Sequence, residues 1–176
     1  LLDLRANYPA SDAVSFSQEV PDAGRDAFVA AVRADRSLAP GGYPEFDIRP
    51  AGRRPSYNVL TLIEPPEMLP EKFGLDLSAA SPVAESMARA RDSGGISASG
   101  HPIQVSLPTP HTALGIRAPV YMGASAPLDV ASRRAAYVGA VGVAFSVQAL
   151  VERALSGQQG PALSLSLFAA DRNGAR

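Results

Sequence analysis

The sequence contains no cysteine, only two histidines and no apolar run long enough to cross a bilayer. Without cysteine there is no disulfide scaffold, no thiol nucleophile and no thiolate metal site. His101 and His111 stand apart from any acidic cluster, so a zinc site lacks its ligands. An excess of charge of one sign is missing as well: 16 basic and 17 acidic residues leave a formal net charge of −1. That balance provides no field for nucleic acid or for an anionic membrane surface, and nucleic acid is excluded as a partner. The uncharged run Ala135 to Val151 is shorter than the ~20 residues of a spanning helix. It is interrupted by Gly139, Gly142, Ser146 and Gln148 and changes period midway, which predicts a strand followed by a helix. There is no Gly-x-Ser-x-Gly elbow, no His-Glu-x-x-His pair and no phosphate-binding loop. The pair Glu64 and Glu67 has no geometry that earns a glycosidase reading. No catalytic residue, metal or cofactor is therefore expected, and the fragment is read as non-enzymatic.

What is present is the composition of a folded domain. Of 176 residues, 46% are hydrophobic and 19% charged, enough apolar surface for a core. Sixteen prolines and fifteen glycines predict many turns and short strands. The first residue is leucine and no basic-then-apolar leader follows it, so a piece of a longer protein is expected.

Residues 1–20 are weakly patterned and are expected to be the tail of a helix. Asp22 is placed as the N-cap of a helix that ends near Leu38, with Phe28, Val29 and Val32 on one face. Tyr43–Ile48 and Ser56–Ile63 read as strands, the second carrying Tyr57, Val59, Thr61 and Ile63 on one face and stopped by Glu64-Pro65-Pro66. Ser81-Pro82 opens the clearest helix, with Val83, Met87 and Ala90 as its apolar stripe and Gly94-Gly95 as its stop. Alternation then predicts strands through Ile103–Leu107, Leu114–Val120 and Ala136–Phe145. Ser146 caps a short helix, and Leu163–Leu167 alternates once more. Neighbouring strands joined by turns favour antiparallel sheets with segregated helices, which is the α+β class.

The order of short motifs resembles a known family. The residues are Gly42-Tyr43-Pro44-Glu45-Phe46, Ile48, Pro50, Gly52-Arg53, Tyr57 and Ile63-Glu64-Pro65. After them come Gly74-Leu75-Asp76-Leu77, Met87 through Gly94, Pro119-Val120-Tyr121, and Gly139 through Ser146. From about Gly41 onward this resembles the CHASE domain, the extracellular sensory module of cyclase- and histidine-kinase-type receptors, among them the plant cytokinin receptors. The resemblance implies a membrane-anchored receptor with two PAS-like lobes behind an N-terminal helix, its sensory part on the periplasmic or extracellular side. It divides the chain into an N-terminal helical segment 1–40, a membrane-distal ligand-binding lobe 41–128 and a membrane-proximal lobe 129–176. It also implies a homodimeric full-length receptor with a histidine kinase output, or alternatively a diguanylate cyclase. A third possibility is a structural or dimerisation module that keeps the PAS-like shape without a competent pocket.

The same resemblance assigns candidate ligand-binding residues. Glu67 falls where cytokinin-binding members place an acid that accepts hydrogen bonds from an adenine ring; the alternative is a solvated turn residue. Glu64 stands beside it, and its proline neighbours favour a role in capping local amides. Ser99 aligns with a ligand-contacting hydroxyl or else serves a turn. Tyr57 and Tyr121 offer ring faces with a polar end, or are packed core with bonded hydroxyls. Met87 and Ala88 floor a pocket or are plain helix core. The sequence departs from the family in the turn Glu67–Phe73, which lacks asparagine, and at Pro108–Thr112. The expected partner is a small molecule such as an adenine derivative.

Overall fold

The computed structural model describes residues 4–8, 10–100, 102–105, 110–123 and 125–156. A one-turn helix α1 (Leu4–Asn7) leads into β1 (Ser11–Pro21), and a 3-10 turn over Asp22–Gly24 opens α2 (Arg25–Ala34). An irregular connection reaches β2 (Ser56–Glu64), followed by α3 (Leu69–Lys72) and α4 (Ser81–Ser93). Two short strands, β3 (Ser97–Ala98) and β4 (Ile103–Val105), precede β5 (His111–Tyr121). The described chain closes with α5 (Val130–Ala136), β6 (Tyr137–Ser146) and α6 (Val147–Leu155). The strands form one six-stranded sheet in the order β2-β1-β6-β5-β3, with β4 also on β5. Every pairing is antiparallel. The α+β class and the antiparallel sheet agree with the sequence reading.

β1 does not. Residues 11–21, expected as the remainder of a helix, are a strand hydrogen-bonded to β2 on one side and β6 on the other. The strand pattern is present: Val14 and Phe16 alternate with Ala13, Ser15 and Ser17. Its second face is small rather than charged, because that face is buried, and the usual apolar-to-charged contrast of a half-solvated strand is missing. A bulge between Phe16 and Ser17 shifts the register against β2.

One end of the sheet is covered by α2 and by residues 43–48. Val20, Val29, Phe46, Ile48, Tyr57 and Val59 form a buried cluster, with Phe28, Val32, Tyr43 and Phe73 packed around it. Phe46 meets Phe28 edge-on at 6.0 Å between ring centroids and Phe73 at 4.7 Å. Tyr43–Ile48 is therefore not a strand. It is a loop that turns its aromatic rings inward, and only Arg49 bridges, in parallel, to Leu75. The bridge explains Gly74: its φ is +82°, and a Cβ there would run into the Asp47 carbonyl oxygen. α2 is shorter than predicted, running from Arg25 to Ala34, and its N-cap position is Gly24 rather than Asp22. The Asp22 carboxylate is used elsewhere, accepting the Tyr57 hydroxyl at 2.8 Å and Arg53 at 3.1 Å. Those two donors hold its pKa below the usual carboxylate value.

α4 matches the sequence closely. Met87 and Ala90 are buried, Pro82 lies in the first turn, and Gly94 closes the helix with φ +75° and its N–H on the Ala90 carbonyl. The N-cap position is Ala80, so Ser81 is the first helical residue rather than the cap. Ser146 does cap α6, accepting the Ala149 N–H at 3.2 Å. The predicted strand Leu163–Leu167 lies outside the described residues.

Candidate functional site

α4 packs along β5 on the face of the sheet opposite α2. The face it covers is not the apolar one. In β5 the buried residues are Ala113, Gly115 and Arg117, while Leu114 on the other face is 38% exposed. In β6, Ala140 and Gly142 are buried on that face, and Val141 on the other stands partly in solvent. Ser17 of β1 is buried on the α4 side, with Ser15 partly so. Small side chains let the helix approach closely, and they leave a layer in which the few larger polar groups stand out.

Arg117 is the largest of these, at 8% exposure. It sits on the cross-strand row Arg117–Gly142–Ser15. Its guanidinium lies over Gly142: a Cβ at that position would fall 2.7 Å from Nη1 and 3.0 Å from the Ser15 hydroxyl. Of its five N–H donors, one reaches the Ile116 carbonyl at 2.9 Å, and Nε has no partner among the described residues. Among the described residues no carboxylate neighbours it. Burial pushes its pKa down, opposed only by the Tyr137 side chain.

A second polar group lies further along the same face. The Tyr137 hydroxyl donates to Asn58 Oδ1 at 3.3 Å, and Arg91 stacks over its ring at 6.0 Å. Burial, and then the Glu19 carboxylate, push the Tyr137 pKa well above the ordinary phenol value. Glu19 Oε2 is itself buried without a hydrogen-bond partner among the described residues.

The C-terminal end of α4 is clamped. The Tyr121 hydroxyl donates to the Arg91 and Ala90 carbonyls, and its ring meets Tyr137 edge-on at 6.2 Å. Arg134 grips the Asp92 carboxylate with two hydrogen bonds, of 3.0 and 2.6 Å, and Arg133 Nε reaches the Asp92 carbonyl at 2.9 Å. Arg134 first and Arg91 second hold the Asp92 carboxyl far below its usual range. The other flank is tied by Arg89, which donates to the Ser97 hydroxyl at 3.3 Å and the Ala98 carbonyl at 3.0 Å.

The residues singled out from the sequence divide into three places. Met87 is buried on the inner side of α4, and Ser99 is buried on the row of Gly115, whose carbonyl accepts its N–H at 2.8 Å. Tyr121 joins them at the end of α4. Ala88 instead borders an open groove on the outside of the helix with Arg89, Asp92, Ser93, Ile96 and Ser97. Tyr57 is fully buried in the α2 cluster, with its hydroxyl on Asp22 and the Gly52 carbonyl and accepting the Arg54 N–H. Glu64 ends β2, the edge strand on the other side of the sheet from β5, and Glu67 is exposed in the 3-10 turn Pro66–Met68. Sequence reasoning missed Arg117, Tyr137 and Glu19. A usable signal was there for Arg117, the one charge inside an otherwise uncharged run from Thr112 to Ser125.

Asp76, part of the Gly-Leu-Asp-Leu motif, has a structural task. It is buried, and its Oδ1 accepts the Asn58 N–H at 2.9 Å, the Ser78 N–H at 3.0 Å and the Ser78 hydroxyl at 2.6 Å. Arg54 Nε stands 3.5 Å from the other oxygen. The motif thus pins the turn after α3 against β2.

Among the described residues no cluster of three or more His, Asp or Glu side chains is suited to a metal ion. No described helix is long and apolar enough to cross a membrane. The profile of the CHASE domain matches residues 1–176, the whole chain, and the chain belongs to that family. CHASE domains are extracellular sensory domains of membrane receptors, a family defined by sensing rather than by catalysis. A comparison with curated proteins found no match.

Proposed function

We propose that the chain is the extracytoplasmic ligand-sensing domain of a transmembrane receptor and that a small molecule is bound in the layer between α4 and the sheet. The observation that carries this reading is the buried polar set on that face. Arg117 Nε and Glu19 Oε2 lack partners among the described residues, although leaving a buried polar group unbonded costs about 1–3 kcal/mol. Met87, Ser99 and Tyr121 border the same layer. A ligand admitted there displaces α4 relative to β5, and the displacement is relayed across the membrane to the output domain. A ligand shifts such an equilibrium only by binding the two arrangements with different affinity.

The finer assignment is a bacterial, periplasm-facing sensor of a homodimeric histidine kinase, with a diguanylate cyclase as the alternative output. Its two lobes would divide near residue 128, in the segment between β5 and α5. An adenine-type ligand held by Glu67, with Glu64 beside it, is a separate proposal, since both acids lie at the β2 end of the sheet. Tyr57, at the start of β2 and packed in the α2 cluster, stands away from that mouth and drops out of this variant, and Ala88 would line the outer approach over α4.

A thermal-shift screen tests the reading. Adenine derivatives, amino acids and small amides are the first probes. Binding of one at a hundredfold excess over Kd adds about 2.7 kcal/mol. Glu67→Ala is expected to abolish an adenine response, and an undiminished response removes Glu67 from the site. A structural module without a pocket would show no stabilisation by any probe.

A further inference from the structure

The geometry points to Arg117 as the ligand-anchoring residue of this sensor, and to a carboxylate as the group it anchors. This rests on the reading of the α4 layer as the ligand site and narrows it to a chemical class, small organic monoanions.

The first ground is the cost of the arrangement. A guanidinium is always charged and presents a planar fork of five donors. In folded proteins a buried one is normally paired, because several kcal/mol of hydration are lost with it. Arg117 is 8% exposed and, among the described residues, has no carboxylate neighbour and satisfies one donor on the carbonyl of the preceding residue. The arginines described as bonded to an acid, unlike Arg117, lie nearer the surface, as Arg25, Arg53 and Arg134 do.

The second ground is the shape around it. Gly142 supplies the absent side chain over which the guanidinium lies, and the Ser15 hydroxyl stands on the same row. The free Nε beside an Nη gives the two parallel donors that match the two oxygens of a carboxylate. One positive charge balances one negative charge, whereas a phosphate dianion would be left with a buried excess. Glu19, an acid on that face with a buried carboxylate oxygen, acts on the Tyr137 side chain instead.

The third ground is the cover. α4 is held over β5 by bonds from Arg89, Tyr121 and Arg133 to main-chain carbonyls. These break and re-form without leaving a buried charge behind. Capture of a carboxylate beneath the helix therefore couples an electrostatic event to movement of the whole element.

The test uses the 176-residue chain and matched probes: acetate, benzoate and propionate against acetamide, benzamide and propionamide, with inorganic phosphate as a further arm. The readouts are melting temperature and the backbone and Arg117 Nε–Hε resonances. At least one acid is expected to move the Nε–Hε resonance saturably and to raise the melting temperature, and its amide is not. Arg117→Lys keeps a charge but loses the fork, and is expected to weaken acid binding roughly ten- to a hundredfold. Arg117→Met removes an unpaired buried charge and is expected to melt no lower than the parent while losing the acid response. The inference is overturned if no acid moves the Nε–Hε resonance, if phosphate alone does, or if Arg117→Met binds acids as the parent does. It is also overturned if that variant melts clearly lower, which would give Arg117 a structural role. Amides that shift α4 and β5 resonances without touching Arg117 would refute the carboxylate and leave the α4 site standing. Binding that shifts only β2 and the turn after it would refute both.

Discussion

Replacing Asp76 with alanine is expected to remove about 3–5 kcal/mol of stability, as much as a sizeable core truncation. The figure is built from its bonds. The side chain is buried and its Oδ1 accepts three hydrogen bonds, two from main-chain amides and one from the Ser78 hydroxyl. A hydrogen bond to a charged acceptor is worth about 1.5–3 kcal/mol, and a buried amide left without its acceptor costs about 1–3 kcal/mol. The Asn58 N–H is the group left stranded, in a buried residue of β2. Ser78 is half-buried, recovers water and contributes little. Asp76→Asn keeps one carbonyl acceptor and loses the pairing with Arg54, so about 1–2 kcal/mol is expected. Urea unfolding followed by circular dichroism checks both. With a slope of about 2 kcal/mol per molar, the alanine variant unfolds roughly 1.5–2.5 M earlier and the asparagine variant well under half as much. If alanine and asparagine cost the same, the charge and not the hydrogen-bond geometry holds the turn. If alanine costs under about 1 kcal/mol, Asp76 is not the pin of β2 and the structural account of the Gly-Leu-Asp-Leu motif fails.

Three further outcomes are expected. Asp92 has a folded-state pKa below its unfolded value of about 3.9, so its contribution is complete above that pH and is lost as the pH falls below it. Melting curves taken downward through the carboxylate range should therefore fall less steeply for Asp92→Asn than for the parent, and parallel curves would contradict the clamp on α5. Gly142→Ala puts a methyl group against the Arg117 guanidinium and the Ser15 hydroxyl, with an expected cost of about 1–3 kcal/mol by denaturant titration and loss of any Arg117-dependent ligand response. A neutral Gly142→Ala would show that the guanidinium is not seated there. Tyr121→Phe loses the bonds to the last-turn carbonyls of α4, costing about 1 kcal/mol, and hydrogen exchange should speed up in residues 90–94 before it does in β5; unchanged protection would remove Tyr121 from the clamp.

Periodicity located β2, α4, β5, β6 and α6 because each carries a repeat that its own backbone geometry demands, helped at α4 by Pro82 and Gly94 and at α6 by Ser146. It failed for Tyr43–Ile48, whose aromatics alternate like a strand but serve the α2 cluster from a loop. It failed for β1, whose small face lacks polar contrast. Family membership was legible in the order of short motifs. The role of each motif was not: Glu64-Pro65 stops a strand, Gly74 and Asp76 hold a turn, and Tyr57 is core bonded to Asp22.

The amino-acid order by itself determined β2, α4, β5, β6 and α6, the stop of α4 at Gly94, the cap of α6 at Ser146 and the sensory family to which the chain belongs. Tertiary structure alone decided which face of the central strands is covered. Alternation states that two faces differ, and it carries no information on which of them a distant helix will choose. Here α4 settles on the face of Ala113, Gly115, Ala140 and Gly142, because small side chains admit a helix closely, and so a lone arginine ends beneath it while leucine and valine stand toward solvent.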